Sequence, residues 1–117
     1  MLVDSSVWID HFRTRNVGLV AALERGEVHT HPFVIGELAC GSLPRRATVL
    51  SWLTRLPTAR IATDGEVHLL LERERLWSLG IGWIDLHLLA SAMFTGVELW
   101  TRDTRLGAVA ARLGVSR

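Results

Sequence analysis

The sequence predicts an α/β fold in which four or five short parallel strands alternate with helices. Two observations carry this expectation. Brief apolar runs alternate with segments of helical periodicity, and glycine or proline punctuates the chain at short intervals. Strand–helix–strand units close as right-handed crossovers, which puts helices on both faces of a parallel sheet.

Leu2-Val3 is a short apolar run ending at Asp4, and the Ser5-Ser6 pair behind it gives an N-cap signal for a helix from Val7 to Phe12. A second helix runs from Val17 to Arg25 and stops at Gly26, leaving Val28 to Thr30 as a short strand. Pro32 opens a helix over Phe33 to Cys40, and Gly41 stands where a left-handed C-cap is favoured. From Arg45 to Leu56 the residues Val49, Leu50, Trp52, Leu53 and Leu56 recur at helical spacing, until Pro57 ends the stretch. Ile61 is a strand candidate. Asp64 caps a helix expected to reach Leu79, with Glu72-Arg73-Glu74-Arg75 as a solvated face and Gly80 and Gly82 at its end. Ile84 to Phe94 is helical in spacing, Gly96 breaks it, and Val97 to Thr101 has the character of a buried strand. The last helix, Thr104 to Leu113, follows Asp103 and stops at Gly114, so Val115 is at most the stub of a fifth strand.

The 117 residues suit one domain over 1–117, and 49% apolar against 21% charged residues excludes intrinsic disorder. With 13 basic and 12 acidic residues the formal net charge is +1, so any polyanion must be bound locally. Every basic residue is Arg. The lack of Lys excludes phosphate-binding Walker lysines and Schiff-base chemistry. One cysteine, Cys40, makes neither an intramolecular disulfide nor a zinc cluster, and a lone thiol suits a reducing compartment. Met1-Leu2-Val3-Asp4 lacks the start of a signal peptide and no apolar run reaches membrane-spanning length, so the expected location is cytoplasmic.

Ligands of parallel sheets bind beyond the carboxyl ends of the strands. Asp4 ends the first strand and Asp103 lies two residues beyond Thr101, at the end of the fourth. Helices leading into the next strand begin at that same edge, so Glu37 and Asp85 should ride there on the opening turns of their helices. Four carboxylates then converge with only Arg102 adjacent to neutralise them. Two unit charges about 4 Å apart repel by roughly 4 kcal/mol at an effective dielectric near 20. Oxygen-only ligands select hard cations, which makes Mg²⁺, or Mn²⁺ in its place, the natural occupant and hydrolysis of a phosphodiester the suggested chemistry.

Four blocks, Leu2-Val3-Asp4-Ser5-Ser6-Val7-Trp8-Ile9-Asp10, Val34-Ile35-Gly36-Glu37-Leu38, Gly82-Trp83-Ile84-Asp85 and Leu99-Trp100-Thr101-Arg102-Asp103, give the chain its resemblance to PIN-domain endoribonucleases of the VapC toxin type. The likeness spans the whole length. It implies a single PIN domain with a three-layer α/β/α arrangement and a short parallel sheet of four or five strands. It further implies that Asp4, Glu37, Asp85 and Asp103 are the catalytic acids that bind Mg²⁺ and position the attacking water. Ser6 and Thr101 match family hydroxyls that hydrogen-bond those acids. A cognate VapB-type antitoxin that occludes the site, a structured RNA substrate, homodimerisation, operator DNA contacted only through the antitoxin, and no membrane partner are also implied. Leu106 departs from the family in standing where an aromatic is frequent.

Taken singly, each acid reads more simply as a helix cap or a solvated carboxylate. Asp64 is taken as a cap and Asp10 as an exposed residue or a partner of Arg13, and both stay outside the site. His29 and His31 lack the companions a zinc site needs, and His87 reads as a helix histidine. Trp8 and Trp83 flank the acids and are candidates for stacking on bases; Arg13, Arg15, Arg45 and Arg46 are candidates for phosphate contacts. Two rivals remain: a non-catalytic PIN-like module binding RNA or protein, and an aspartyl phosphotransferase, which would need an acid where Ser6 stands.

Overall fold

The apolar pair Leu2–Val3 (β1) lies parallel to Leu99–Trp100 (β2), with Leu2 opposite Leu99 and Val3 opposite Trp100. The computed structural model describes residues Met1 to Arg117, and these two strands are its whole sheet. The expected sheet of four or five strands is therefore not formed, and the fold is mostly helical. The other candidate strands contribute isolated bridges only: His29 beside Leu2, Thr30 beside Thr58, and Ser116 beside Leu99. The Thr30–Thr58 bridge cannot grow, because its next hydrogen bonds would need donors at Pro32 in one direction and Pro57 in the other. Ile61, expected in a strand, is 55% exposed and unpaired.

Seven helices surround this pair: α1 (Ser5–Arg13), α2 (Val17–Glu24), α3 (Pro32–Cys40), α4 (Arg46–Leu53), α5 (Asp64–Arg73), α6 (Trp83–Thr95) and α7 (Thr104–Arg112). Their starts follow capping chemistry, with some shifts from expectation. Asp4, rather than the serine pair, caps α1 by accepting the Ser5 N–H at 2.8 Å. Asn16 caps α2 through the Leu19 N–H. His31 caps α3, its Nδ1 accepting the Phe33 N–H at 3.0 Å. Burial, with the neighbouring His87 second, holds the pKa of His31 down to about 4, which keeps the ring neutral and the accepting lone pair in place. Thr63 and Glu66 form a capping box at the start of α5, so Asp64 is the first helical residue and not the cap.

The C-terminal ends also differ in places from the sequence reading. Gly41 is extended at φ −96° rather than left-handed. Helix α5 stops at Arg73, short of Leu79, as Arg75 and Ser78 turn to φ 53° and 59°. Gly96, by contrast, ends α6 in the left-handed conformation at φ 74°, redirecting the chain into β2.

The core is one cluster of 24 buried apolar side chains. Leu2, Val3 and Leu99 enter it from the strands, Trp8 from α1 and Leu106 from α7. Every residue of α6 from Leu86 to Ala92 is buried, so this helix is the central one. Helices α6 and α7 both pack on β2, α5 on α6, and α1 and α4 on α3. Trp8 is fully buried, which removes it as a base-stacking surface. No helix is long and apolar enough to cross a membrane.

At Gly96 an added Cβ would meet no atom within 4 Å, so the cost of Gly96→Ala is the left-handed backbone alone. Chemical denaturation should show a loss of about 1–2 kcal/mol. Gly36→Ala, within α3 and equally open, should instead raise stability by about 0.5–1 kcal/mol.

Candidate active site

Pairing of β1 with β2 brings the first site residue to the last: the Asp4 N–H donates to the Trp100 carbonyl at 2.9 Å, at the exit of both strands. Asp4 is only 6% exposed, and both of its carboxylate oxygens accept hydrogen bonds. Its Oδ1 accepts from the Ser5 N–H at 2.8 Å and from Ser5 Oγ at 3.4 Å. Its Oδ2 accepts from Ser6 Oγ and Thr101 Oγ1, each at 2.8 Å. Both predicted hydroxyls are thus on Asp4, 3.3 Å apart. Thr101 Oγ1 in turn accepts the Asp103 N–H at 3.0 Å, and Ser6 Oγ accepts the Arg102 N–H at 3.0 Å, tying the α7 approach to α1.

Asp103 caps α7, its Oδ1 accepting from Arg105 and Leu106 N–H at 2.9 and 3.2 Å. Asp85 sits at the third position of α6, where Oδ2 accepts the Gly82 N–H at 3.0 Å. Three of the four acids therefore serve as N-terminal caps of three helices. Cap and site are not alternatives here: three positive helix ends face the acids and offset part of their repulsion. Glu37 is exposed on the second turn of α3, and its Oε2 accepts from Ser5 Oγ at 2.9 Å.

Ser5 is a residue that the sequence did not place beside the acids, with one hydroxyl reaching both Asp4 and Glu37. The adjacent serine pair was its only signal, read there as a cap. Asp85 is joined to the group electrostatically. Burial raises its pKa most, the Gly82 N–H opposes this, and the charges of Asp4 and Asp103 raise it further. Oδ1 of Asp85, Oδ2 of Asp103 and Oε1 of Glu37 carry no hydrogen bond from the protein.

The donor set is all oxygen, which suits a hard divalent cation. No three His, Cys, Asp or Glu side chains, however, are already gathered around a point that could hold a metal ion. Arg102, the adjacent cation, does not neutralise the acids: its guanidinium lies 2.7 Å from Asp10 Oδ2. That pairing replaces the expected Asp10–Arg13 contact. The other nearby groups are inert in this sense. His87 is buried, with Nε2 lying 3.2 Å from Asp64 Oδ1 without hydrogen-bond alignment. Trp83 is partly exposed at the start of α6.

Glu37 stands between two concavities. One, of about 360 Å³, lies between α1 and the end of α3 and is walled by Phe12, Arg13, Leu43 and Pro44. The other, a shallower groove of about 500 Å³, runs over Phe33, Gly36 and Ile84.

The profile of the PIN domain family matches residues 1–112. Two proteins named Ribonuclease VapC32, from Mycobacterium tuberculosis strains CDC 1551 / Oshkosh and ATCC 25618 / H37Rv, are each 46% identical over 117 residues, spanning 99% of this chain and 94% of their own.

The raised pKa of Asp85 fixes the sign of a pH effect. Folding favours its protonated form, so that contribution is complete below the ordinary value of 3.8 and is lost as pH rises through the folded-state value. At neutral pH Asp85→Asn should therefore melt at a higher temperature than the wild type. The gap should close as pH falls below 3.8, as followed by thermal denaturation at a series of pH values.

Proposed function

Because the chain belongs to the PIN domain family, we infer that it is a metal-dependent endoribonuclease of the VapC type, the toxin of a toxin–antitoxin pair. The observation that carries this reading is the likeness, along almost the full length of both chains, to proteins named as ribonucleases, with the acids and hydroxyls of the site tied by hydrogen bonds around Asp4.

Mg²⁺, with Mn²⁺ as substitute, is the cofactor proposed. The oxygens of Asp85, Asp103 and Glu37 that accept no protein hydrogen bond, together with Asp4, would hold it. When bound, such an ion supplies Lewis-acid chemistry at the scissile phosphate and makes water more acidic. The chain's own residues do the rest. Ser6 and Thr101 fix the rotamer of Asp4 from two sides, and Ser5 sets Glu37 relative to Asp4. The N-terminal ends of α1, α6 and α7 contribute unpaired N–H dipoles around a group where phosphate charge accumulates. Glu37 is exposed and lines both concavities, which leaves it open to an incoming strand. Direct attack by water leaves a 5′-phosphate and a 3′-hydroxyl.

The partners that go with this reading are an RNA substrate, a cognate VapB-type antitoxin that covers the site, and a second copy of the chain. Operator DNA is reached only through the antitoxin, and the place of action is the cytoplasm. A binding module without catalysis is the reading that caps alone would support, since Asp4, Asp85 and Asp103 each have a capping role.

Asp103→Asn separates the two readings. The amide oxygen keeps the cap on Arg105 and Leu106 while the charge is lost, so the melting temperature should barely move. RNA cleavage in Mg²⁺ should fall by at least about a hundredfold, the scale of losing one charge contact in a transition state. Cleavage by the wild type should stop with chelator and leave 5′-phosphate ends. No cutting by the wild type in Mg²⁺ would turn the assignment toward the binding module, and unchanged cutting by the variant, or cyclic-phosphate ends, toward another chemistry.

A further inference from the structure

Arg102 is anchored inside the acid group: its neighbours are Thr101, which donates to Asp4, and Asp103, and its own N–H is held by Ser6 Oγ, itself bonded to Asp4. A guanidinium starting from this point is the internal counter-ion that the carboxylates would otherwise attract. It is turned away instead. Nη1 of Arg102 is 2.7 Å from Oδ2 of Asp10, a carboxylate about one and two-thirds helical turns along α1 from Asp4. The side chain of Asp10 is 29% exposed and that of Arg102 is 57% exposed, so the pair lies at the rim. No other acid of the chain is within ion-pair distance of Arg102.

We propose that Asp10 is a positioning residue, which holds the Arg102 guanidinium at the rim and so keeps the carboxylates of Asp4, Asp85 and Asp103 available to a divalent cation. This deepens the reading of the acids as a metal site and rests on it. A surface ion pair adds little to stability, so the role of this one is the place where it parks a charge. With the Asp10 carboxylate removed, no ion pair holds Arg102, and its guanidinium is free to compete with the cation for the acids on either side of its backbone.

The test is calorimetric titration of Mn²⁺ into the purified full chain, without RNA, for the wild type, Asp10→Ala, Arg102→Ala and the double variant. Asp10→Ala should raise the dissociation constant for Mn²⁺ about tenfold, equivalent to about 1.4 kcal/mol. Arg102→Ala should bind no more weakly than the wild type, and the double variant should return to within about twofold of it. This recovery is what a purely structural staple would not produce, because removing both partners leaves the staple just as broken. Should Asp10→Ala fail to fold, Asp10→Asn keeps the volume, loses the charge and carries the same comparison. Equal affinity of the single Asp10 variant and the wild type overturns the role of Asp10 alone, as does a double variant as weak as the single one. No Mn²⁺ uptake by the wild type overturns this role together with the metal-site reading beneath it.

Discussion

A buried carboxylate has to be hydrogen-bonded, and the way Asp4 meets that requirement organises the molecule. An uncompensated polar group in a protein interior costs on the order of 1–3 kcal/mol, and more when it carries charge. Asp4 draws donors from its own helix, through Ser5 and Ser6, and from the far end of the chain, through Thr101. The same four interactions close the β1–β2 pair, start α1 and set the approach to α7. A two-residue parallel ladder is a weak element by itself. Side chains linking the exits of both strands give it a fixed register that its few backbone bonds alone would not.

The second consequence is electrostatic. The charges of Asp4 and Asp103 act on Asp85, yet all three acids sit at helix N-termini, where the unpaired N–H groups and the macrodipole favour negative charge. The fold therefore tolerates the cluster without a counter-ion from its own side chains, and Arg102 is free to be committed elsewhere. What the helix ends do not offset shows in Asp85, where burial and the neighbouring carboxylates together favour the proton.

Much of this was legible in the sequence. Asp4 and Asp103 follow short apolar runs, and a residue just beyond a strand is confined to that strand's exit. Asp85 follows Gly82 by three, a spacing that sets it against the opening N–H of its helix. Ser6 and Thr101 entered the reading only through family likeness, and both donate to Asp4. The sheet was over-read. Periodicity finds segments of extended backbone but does not count donors, and Pro32 and Pro57 withhold the ones a longer ladder needs. The link from Ser5 to Glu37 was illegible because it joins residues 32 apart in sequence through a rotamer choice. Helical spacing offers Asp10 only Arg13 as a partner, whereas its partner comes from 92 residues away. Local spacing rules rank only local partners.

Burial grades the acids in a way that bears on how a polymer could be handled. Asp4 is sealed in the core, Asp85 is half-buried, and Asp103 and Glu37 are exposed. The inner members are fixed by hydrogen bonds to backbone and hydroxyls, so their geometry does not depend on what approaches. Glu37 has a single hydrogen bond, from Ser5, and stands on a ridge between two hollows. The charge of the buried acids is therefore fixed by interactions formed in folding, whereas Glu37 owes its place to one hydroxyl that also reaches Asp4. Loss of the Ser5 hydroxyl would free Glu37 and still leave Asp4 with its other three donors.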